Sequence, residues 1–218
     1  MNVYDRPVPF DVKINVMRRT KDQAEATRCA LLDAAEIVFL ARGVANATLE
    51  EIAREAGVTR GALYWHFKDK TALYAAMLER VRFPLEDLVN AQPTGQDPLG
   101  AVERHICGIM KFVGEQVSIR RIYAIVLLRR EHLPADVGLD DIEREMRLGT
   151  RHTMEVYFEQ ARAQGQLIDG ITPALAALGL QSHAVGVLYM GLQEAEGFCF
   201  AEHGVQLMVA YIRSLRRA

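Results

Sequence analysis

The segment from Thr48 to Lys70, TLEEIAREAGVTRGALYWHFKDK, constrains the fold most, because it encodes two short helices joined at a glycine. Thr48 is a good N-cap, and Glu51 three residues later completes a capping box. Gly57 stands where a chain that needs a positive φ would turn, and Thr59 can cap the second helix. A helix of under two turns does not persist alone, so the first helix must hold the second.

The second short helix turns Leu63 and Phe67 inward and leaves polar and aromatic side chains exposed. The N-terminal end of such a helix can enter the major groove of DNA. The Arg60 guanidinium can donate to guanine O6 and N7 together, and Gly61 lets the backbone approach closely. The candidate DNA-binding residues are Thr48, Thr59, Arg60, Gly61, Tyr64, Trp65, His66 and Lys70, with Arg18, Arg19 and Lys21 as a basic group ahead of them.

An ordinary helical corner is the alternative, and the Gly57 turn taken alone favours it. The run YWHFKDK from Tyr64 to Lys70 argues against that alternative, because aromatic side chains beside two lysines are costly to expose without use. The run therefore indicates a DNA-binding helix-turn-helix.

These residues, together with Thr27-Arg28, Ala34-Ala35, Phe39 and Gly43-Val44, closely resemble the N-terminal domain of the TetR family of bacterial repressors. GVTRGALYWHFKDK is most similar to the multidrug-efflux branch of that family (AcrR- and TtgR-like). The specific match covers the first third of the chain. The resemblance implies a homodimeric repressor that binds a palindromic DNA operator near its own gene and an efflux-pump operon. It also implies release of the operator by a small hydrophobic or cationic inducer.

Length and composition leave room for one large or two modest domains. Half of the 218 residues are hydrophobic, so a substantial core can form without metals or disulfides. The formal net charge of -2 does not by itself indicate a nucleic-acid binder. The relevant basic residues are clustered locally, and acidic residues elsewhere cancel them in the sum.

Cys29, Cys107 and Cys199 are far apart and in no CxxC spacing, which predicts a reducing compartment and free, buried thiols, with a redox switch as the alternative. The longest uncharged apolar run, Ala184 to Leu192, is too short to span a bilayer. No N-terminal segment combines a basic end, an apolar run and a cleavage site. We therefore expect a cytoplasmic protein, associated with the nucleoid through operator binding.

Helical periodicity dominates the chain, which predicts an all-α fold of about nine helices. The first helix is predicted to run from Thr20, with a capping box, to Gly43. A fourth begins after Asp69 and is interrupted at Pro84, where a bend forced by packing and a joint between domains are equally compatible. Later helices are predicted for residues 99–116, 118–132, 139–164, 173–200 and 204–217.

Three regions follow from this organisation. Residues 1–17 are expected to be a flexible extension, arising either from an upstream start codon or as a genuine arm. Residues 18–68 form the predicted DNA-binding domain, and residues 69–218 the larger domain for ligand binding and dimerisation.

Two groups of residues in the larger domain suggest separate roles. A drug cavity needs adaptable walls and a few polar groups, which points to His105, Cys107, Met110, Arg129, His132, Met154, Glu155, Phe158, Met190, Gln193 and Glu194. A face of small and apolar residues lies on the penultimate helix, and the resemblance implies that the last two helices form a dimeric four-helix interface. That face comprises Ala174, Ala177, Leu178, Gln181, Val185 and Leu188, and burial within one chain is the alternative for it.

No catalytic residue, cofactor or metal site is predicted, because no GxSxG, P-loop, GxGxxG or HExxH pattern occurs. Glu196, Cys199 and His203 share a helical face and provide weak support for a metal sensor. A metal- or redox-responsive regulator of the same fold therefore remains an alternative. A helical partner module that does not bind DNA is another.

Overall fold

The computed structural model describes the backbone of residues 10–90, 97–129, 137–194 and 197–217, and the side chains of residues 21–81, 97–129, 138–194 and 197–217. Within these ranges the chain forms the helices α1 (Phe10–Arg42), α2 (Leu49–Glu55), α3 (Arg60–His66), α4 (Lys70–Asn90), α5 (Pro98–Glu115), α6 (Val117–Leu128), α7 (Val137–Ala163), α8 (Pro173–Gln193) and α9 (Val205–Ser214), with a π-helical turn over Phe200–Gly204. The described residues contain no strand beyond one isolated bridge, Leu167 with Arg216. The predicted all-α class is confirmed.

Helices α1, α2 and α3 pack with the first turns of α4 around one apolar cluster, and local hydrogen bonds define their ends. Thr48 Oγ1 accepts from the Glu51 amide at 3.2 Å, and the Glu51 carboxylate accepts from the Thr48 amide at 3.0 Å. Gly57 has a φ of 66°, and Thr59 Oγ1 accepts from the Ala62 amide at 3.2 Å. Both caps and the turn are therefore confirmed. The buried cluster includes Leu31, Ala35, Phe39, Val44, Ile52, Ala53, Leu63, Phe67 and Leu73.

Helix α1 begins at Phe10, well before the predicted start at Thr20. The predicted N-cap and capping box at Thr20 are therefore wrong. Pro9 precedes the helix, and no glycine or proline follows until Gly43, so the sequence contains nothing that breaks the helix in between. Residues 10–17, predicted as part of the extension, belong to α1, and the residues before them lie outside the described part of the chain.

Helix α4 begins after Asp69, as predicted, because Asp69 Oδ1 accepts from the Ala72 amide at 2.8 Å. The helix continues past Pro84 to Asn90, so the proline does not end it. The side chains of residues 82–90 lie outside the described residues, and a bend at Pro84 stays a prediction.

An ion-pair cluster ties α4 to α1, and a serine of α6 joins the cluster through α1. Arg80 Nη1 on α4 lies 2.6 Å from Asp33 Oδ1 and 2.5 Å from Glu36 Oε1, both on α1. Ser118 Oγ on α6 donates to the same Glu36 oxygen at 2.7 Å. Glu36 is only 1% exposed, so Arg80 supplies the charge that makes its burial tolerable. Burial lowers the pKa of Arg80, but hydrogen bonds to Asp33 and Glu36 outweigh it and leave that pKa above its ordinary value.

The remaining helices form a bundle in which α5 packs against α7, α9 and the π-helical turn, and α8 packs against α6, α7 and α9. The predicted helix over residues 173–200 is wrong at its end, because α8 stops at Gln193. Gly197 has a φ of 103°, and the chain turns there before the π-helical segment. Helix α6 ends at Leu128, before the predicted end at His132.

Helix α8 is the one helix among the described residues that is long and apolar enough, by length and composition, to cross a membrane. The unbroken apolar run named above, Ala184 to Leu192, is only part of this helix, because isolated uncharged polar residues such as Gln181 and His183 interrupt the run but not the helix. The core helix of a soluble protein passes the same test, and 39% of the apolar window in α8 is buried inside this structure.

Candidate DNA-binding surface and ligand cavity

Helix α3 presents its predicted DNA-binding side chains on one surface, away from the core. Trp65 is 74% exposed and Tyr64 is 47% exposed. Arg60 and Gly61 are exposed too, and His66 is half-buried. The rings of Trp65 and His66 pack edge-on, with their centroids 4.5 Å apart. The structure therefore brings the predicted cluster together.

Arg60 is held between an acidic residue and an aromatic ring. Its Nη1 forms an ion pair with Glu50 Oε1 on α2, and its guanidinium carbon lies 5.8 Å from the centroid of the Tyr64 ring. A hydrogen bond with Tyr64 and the charge of Glu50 raise the pKa of Arg60 above its ordinary value. Sequence reasoning missed Glu50, because the two residues meet across the turn and share no helical period.

The two N-cap threonines differ in whether their hydroxyl can still donate a hydrogen bond to a phosphate. The Thr48 hydroxyl donates to Glu51 Oε2 at 3.0 Å while accepting from the Glu51 amide, so it is committed to its cap. The Thr59 hydroxyl only accepts in its cap, which leaves its proton for another acceptor. Lys21 is exposed on α1, and the side chains of Arg18 and Arg19 lie outside the described residues.

The Lys70 ammonium is directed into the protein rather than toward DNA. Its Nζ donates to the backbone oxygens of Val44 at 2.8 Å, Ala45 at 2.9 Å and Ala47 at 3.3 Å. An ammonium has three donors, so these bonds leave none for a phosphate. The predicted phosphate contact is therefore contradicted, and Lys70 instead ties the start of α4 to the loop between α1 and α2.

We expect Lys70→Met to lower the free energy of unfolding by about 1.5–3 kcal/mol, because it removes hydrogen bonds from a charged donor to partly buried carbonyls. Urea denaturation of the intact protein measures this loss. Lys68→Met is the matched control, since Lys68 is exposed nearby on the same segment. If Lys70→Met left stability unchanged but reduced the slope of log affinity for DNA against log salt concentration by about one, Lys70 would contact a phosphate after all.

A cavity of about 710 Å³ lies among α4, α5, α6, α7 and α8. Its wall is mainly apolar, and its size is in the range of small-molecule sites. Tyr123 and the charged residues Glu145, Arg147 and Arg151 also line it. Burial raises the pKa of Tyr123 to about 12, so its hydroxyl stays protonated and can donate a hydrogen bond. The apolar lining includes Leu78, Ile106, Ile109, Met146, Leu180 and Ala184.

Only part of the predicted ligand set lines this cavity. His105, Met110 and Met154 do. The other predicted residues with described side chains do not, namely Cys107, Arg129, Glu155, Phe158, Met190, Gln193 and Glu194, and His132 lies outside the described residues. Phe158 is fully buried in the core, and Met190 is 50% exposed on α8. Polarity and softness of a side chain therefore did not identify which way it faces.

The residues of the predicted dimer face on α8 do not all lie on the exposed side of the helix. Ala177, Gln181, Val185 and Leu188 line the cavity, and Ala177 and Leu188 are buried. The stripe that α8 exposes runs through Leu175, Leu178, Val185, Tyr189 and Met190, and α9 adds Leu207. Of the predicted face, Ala174, Leu178 and Val185 are exposed.

A buried hydrogen bond joins the start of α4 to the cavity wall. Tyr74 on α4 is fully buried and donates from Oη to Glu143 Oε1 on α7 at 2.6 Å. Arg147, which lines the cavity, has its Nη1 3.7 Å from Glu143 Oε2. On its other side, the Tyr74 ring packs edge-on against Phe39 of α1, with centroids 6.0 Å apart. Sequence reasoning named Phe39 only as part of the resemblance and did not name the other three residues. Tyr74 meets Glu143 and Phe39 across separate helices, whereas Arg147 lies one turn after Glu143 on α7.

The three cysteines are free, as predicted, but they are not buried as predicted. Cys29 and Cys199 are exposed, and Cys107 is half-buried with a pKa raised by burial. The described residues contain no group of three or more His, Cys, Asp or Glu side chains placed to hold a metal ion. His203 Nδ1 accepts from the Cys199 amide at 3.0 Å, and Glu196 lies outside the described residues.

Comparisons with known proteins agree with this architecture. The family model described as bacterial regulatory proteins, tetR family, matches residues 31–77. The transcriptional repressor BepR of Brucella suis biovar 1 (strain 1330) is 35% identical over 202 residues, which cover 92% of this chain and 97% of BepR.

Solved structures match along most of the chain. NalD, the secondary repressor of the MexAB-OprM multidrug efflux pump in Pseudomonas aeruginosa, is 32% identical with a TM-score of 0.80, over 90% of this chain and 98% of NalD. The complex of SmeT with triclosan gives 30% identity and a TM-score of 0.78, over 88% of this chain and 92% of SmeT. SmeT is the repressor of the Stenotrophomonas maltophilia multidrug efflux pump SmeDEF.

Proposed function

Because the chain belongs to the multidrug-efflux branch of the TetR family of bacterial transcriptional repressors, we propose that it represses an efflux-pump operon and its own gene from a palindromic operator, and that a small hydrophobic inducer releases it. The observation that carries this proposal is the pairing of an exposed α3 surface with a mainly apolar cavity of about 710 Å³ in the same chain. The protein would act in the cytoplasm.

In this proposal residues 18–68 read the DNA and residues 69–218 bind the inducer and dimerise. Arg60 contacts base edges, because a guanidinium can discriminate guanine. Thr59, Tyr64 and Trp65 contact the DNA backbone, because hydroxyl groups and the indole N–H can donate to phosphates. A two-fold dimer would place two copies of α3 in successive major grooves.

The exposed apolar stripe of α8, together with Leu207 of α9, supports dimerisation through these two helices. A helix that is apolar on all sides is buried on all sides, and α8 is buried on only one side within the chain. His183 of α8 stacks on Tyr211 of α9 with ring centroids 4.8 Å apart, which holds the two helices as one surface. A second copy would cover that surface in a four-helix interface.

The inducer proposed for the cavity is mainly apolar. The apolar wall and the methionines Met110, Met146 and Met154 favour such a molecule, because methionine adapts to ligands of different shape. The Tyr123 hydroxyl and the charged groups at the rim could orient one polar end of the ligand. The SmeT–triclosan complex makes triclosan a reasonable first probe.

Binding in the cavity can reach the DNA-binding surface through the Arg147–Glu143–Tyr74 contacts. A ligand that displaces Arg147 changes the surroundings of a buried carboxylate, and that carboxylate holds α4 beside Phe39 of α1. The inducer can shift the protein only by its different affinities for the DNA-binding and released conformations.

We expect Tyr74→Phe to change the effect of ligand on DNA affinity by about threefold or more, because it removes the hydrogen bond between α4 and Glu143 while keeping the ring. Operator titrations with and without ligand give the two affinities, whose ratio is compared with that of the wild-type protein. Glu143→Gln is the companion variant, since it keeps an acceptor for Tyr74 but removes the charge that pairs with Arg147. An unchanged ratio in both variants would show that coupling runs elsewhere.

The overall proposal is tested by footprinting the purified protein on the intergenic DNA beside its own gene. Protection of a palindrome, lost on addition of triclosan or another apolar compound that raises the thermal stability of the protein, is the expected result. A protein that protects no intergenic sequence would contradict the proposal. Protection that depends instead on a metal or an oxidant would favour a metal- or redox-responsive regulator.

A further inference from the structure

We propose that Glu50 is a positioning residue that increases the discrimination of DNA sequence. Its carboxylate orients Arg60 for hydrogen bonding to a base, and it repels DNA whose bases do not accept from Arg60. This inference rests on the proposed role of Arg60 as the base-reading residue.

The geometry around Arg60 is fixed from two sides. Glu50 lies in the first turn of α2 and Arg60 is the first residue of α3, so the Gly57 turn between these short helices brings them together. The Glu50 carboxylate accepts a hydrogen bond from Arg60 Nη1, and the centroid of the Tyr64 ring lies 5.8 Å from the guanidinium carbon. These two contacts favour one orientation of a long side chain that has many rotamers, above the exposed surface of α3.

Holding Arg60 in this way leaves its other donors available. A guanidinium has five N–H groups in a planar fork; Glu50 accepts from one at Nη1, and the hydrogen bond with Tyr64 takes another. The remaining edge can still donate two parallel hydrogen bonds to guanine O6 and N7. Because the side chain is already ordered, less conformational entropy is lost when it meets the base.

The Glu50 side chain is 64% exposed, and that of Arg60 is 63% exposed. An exposed ion pair contributes little to folding, because water screens it and both side chains lose freedom. A carboxylate next to the DNA-reading surface also disfavours the phosphate backbone at every sequence. Only a base that accepts hydrogen bonds from Arg60 offsets this repulsion. Discrimination arises from the difference in affinity between DNA that offers such a base and DNA that does not.

The test compares full-length wild-type protein with Glu50→Gln, which keeps the shape and removes the charge. Fluorescence anisotropy at fixed salt measures affinity for the duplex protected in footprinting and for a scrambled duplex of equal length. We expect affinity for scrambled DNA to rise and the ratio of the two affinities to fall by about three- to tenfold, the range expected for ordering one long side chain. Glu55→Gln, the same charge change at an exposed position of the same helix, should leave the ratio near the wild-type value.

The role of Arg60 as intermediary is tested in the Arg60→Ala background. There we expect Glu50→Gln to change both affinities alike and to leave their ratio constant. The inference is overturned if Glu50→Gln alone keeps the wild-type ratio, if Glu55→Gln lowers it equally, or if the effect persists without Arg60. A wild-type protein that does not discriminate between the two duplexes would refute the proposed operator binding itself, and the inference with it. Unfolding curves of the single variants should coincide with that of the wild-type protein.

Discussion

Replacing Leu178 with aspartate is expected to give a folded monomer that binds operator DNA about 100-fold or more weakly than the wild-type protein. Leu178 is 43% exposed in the middle of the apolar stripe of α8. In a two-fold dimer the new carboxylates would be buried without partners from both copies. A monomer engages one half-site at a time, and the affinity gained from linking two binding modules is lost.

Light scattering on the eluted protein and anisotropy on operator DNA measure the two effects, and circular dichroism checks the fold. Val117→Asp is the matched control, because Val117 is 51% exposed at the start of α6, outside α8 and α9. The control should remain a dimer with wild-type DNA affinity. A dimeric Leu178→Asp protein would remove the α8 stripe from the interface.

Replacing Arg80 with alanine is expected to cost about 3–5 kcal/mol of unfolding free energy, because it leaves the Glu36 carboxylate buried without its positive partner. Glu36 is 1% exposed and keeps only the Ser118 hydroxyl among the contacts described above. Thermal and urea denaturation measure the loss. Arg144→Ala, at an exposed position of α7, controls for removal of an arginine.

Adding Glu36→Gln to Arg80→Ala should recover part of that loss. The double variant no longer buries a charge, and the amide can still accept from Ser118. No recovery would mean that Arg80 contributes chiefly through packing of its aliphatic stem and its contact with Asp33.

The helix-turn-helix was predictable because the interactions that define it join residues close together in the sequence. The cap of α2 joins Thr48 to Glu51, the cap of α3 joins Thr59 to Ala62, and Gly57 supplies the turn between them. Each cap joins residues three positions apart, and the turn depends on the φ angle of one glycine, so the residue types alone indicate them. The helical spacing of Leu63 and Phe67 then predicted that both are buried, leaving Arg60 and its neighbours exposed.

The start of α1 was not predictable in the same way. A capping box at Thr20 is a good helix start, but it is optional where the preceding residues can also be helical. The helix extends back to Phe10 because no glycine or proline interrupts it.

The all-α class, the helix-turn-helix and its exposed cluster could be predicted from the sequence, since these depend on periodicity and on contacts within a few residues. Packing in the folded chain decided which side of α8 faces the cavity, because a helix that is apolar all round carries no sequence signal for its rotation. It also decided that the Lys70 ammonium binds backbone carbonyls, and that Tyr74 meets Glu143 and Glu50 meets Arg60. These partners are brought together by packing between separate helices, which the spacing of residues along one helix does not specify.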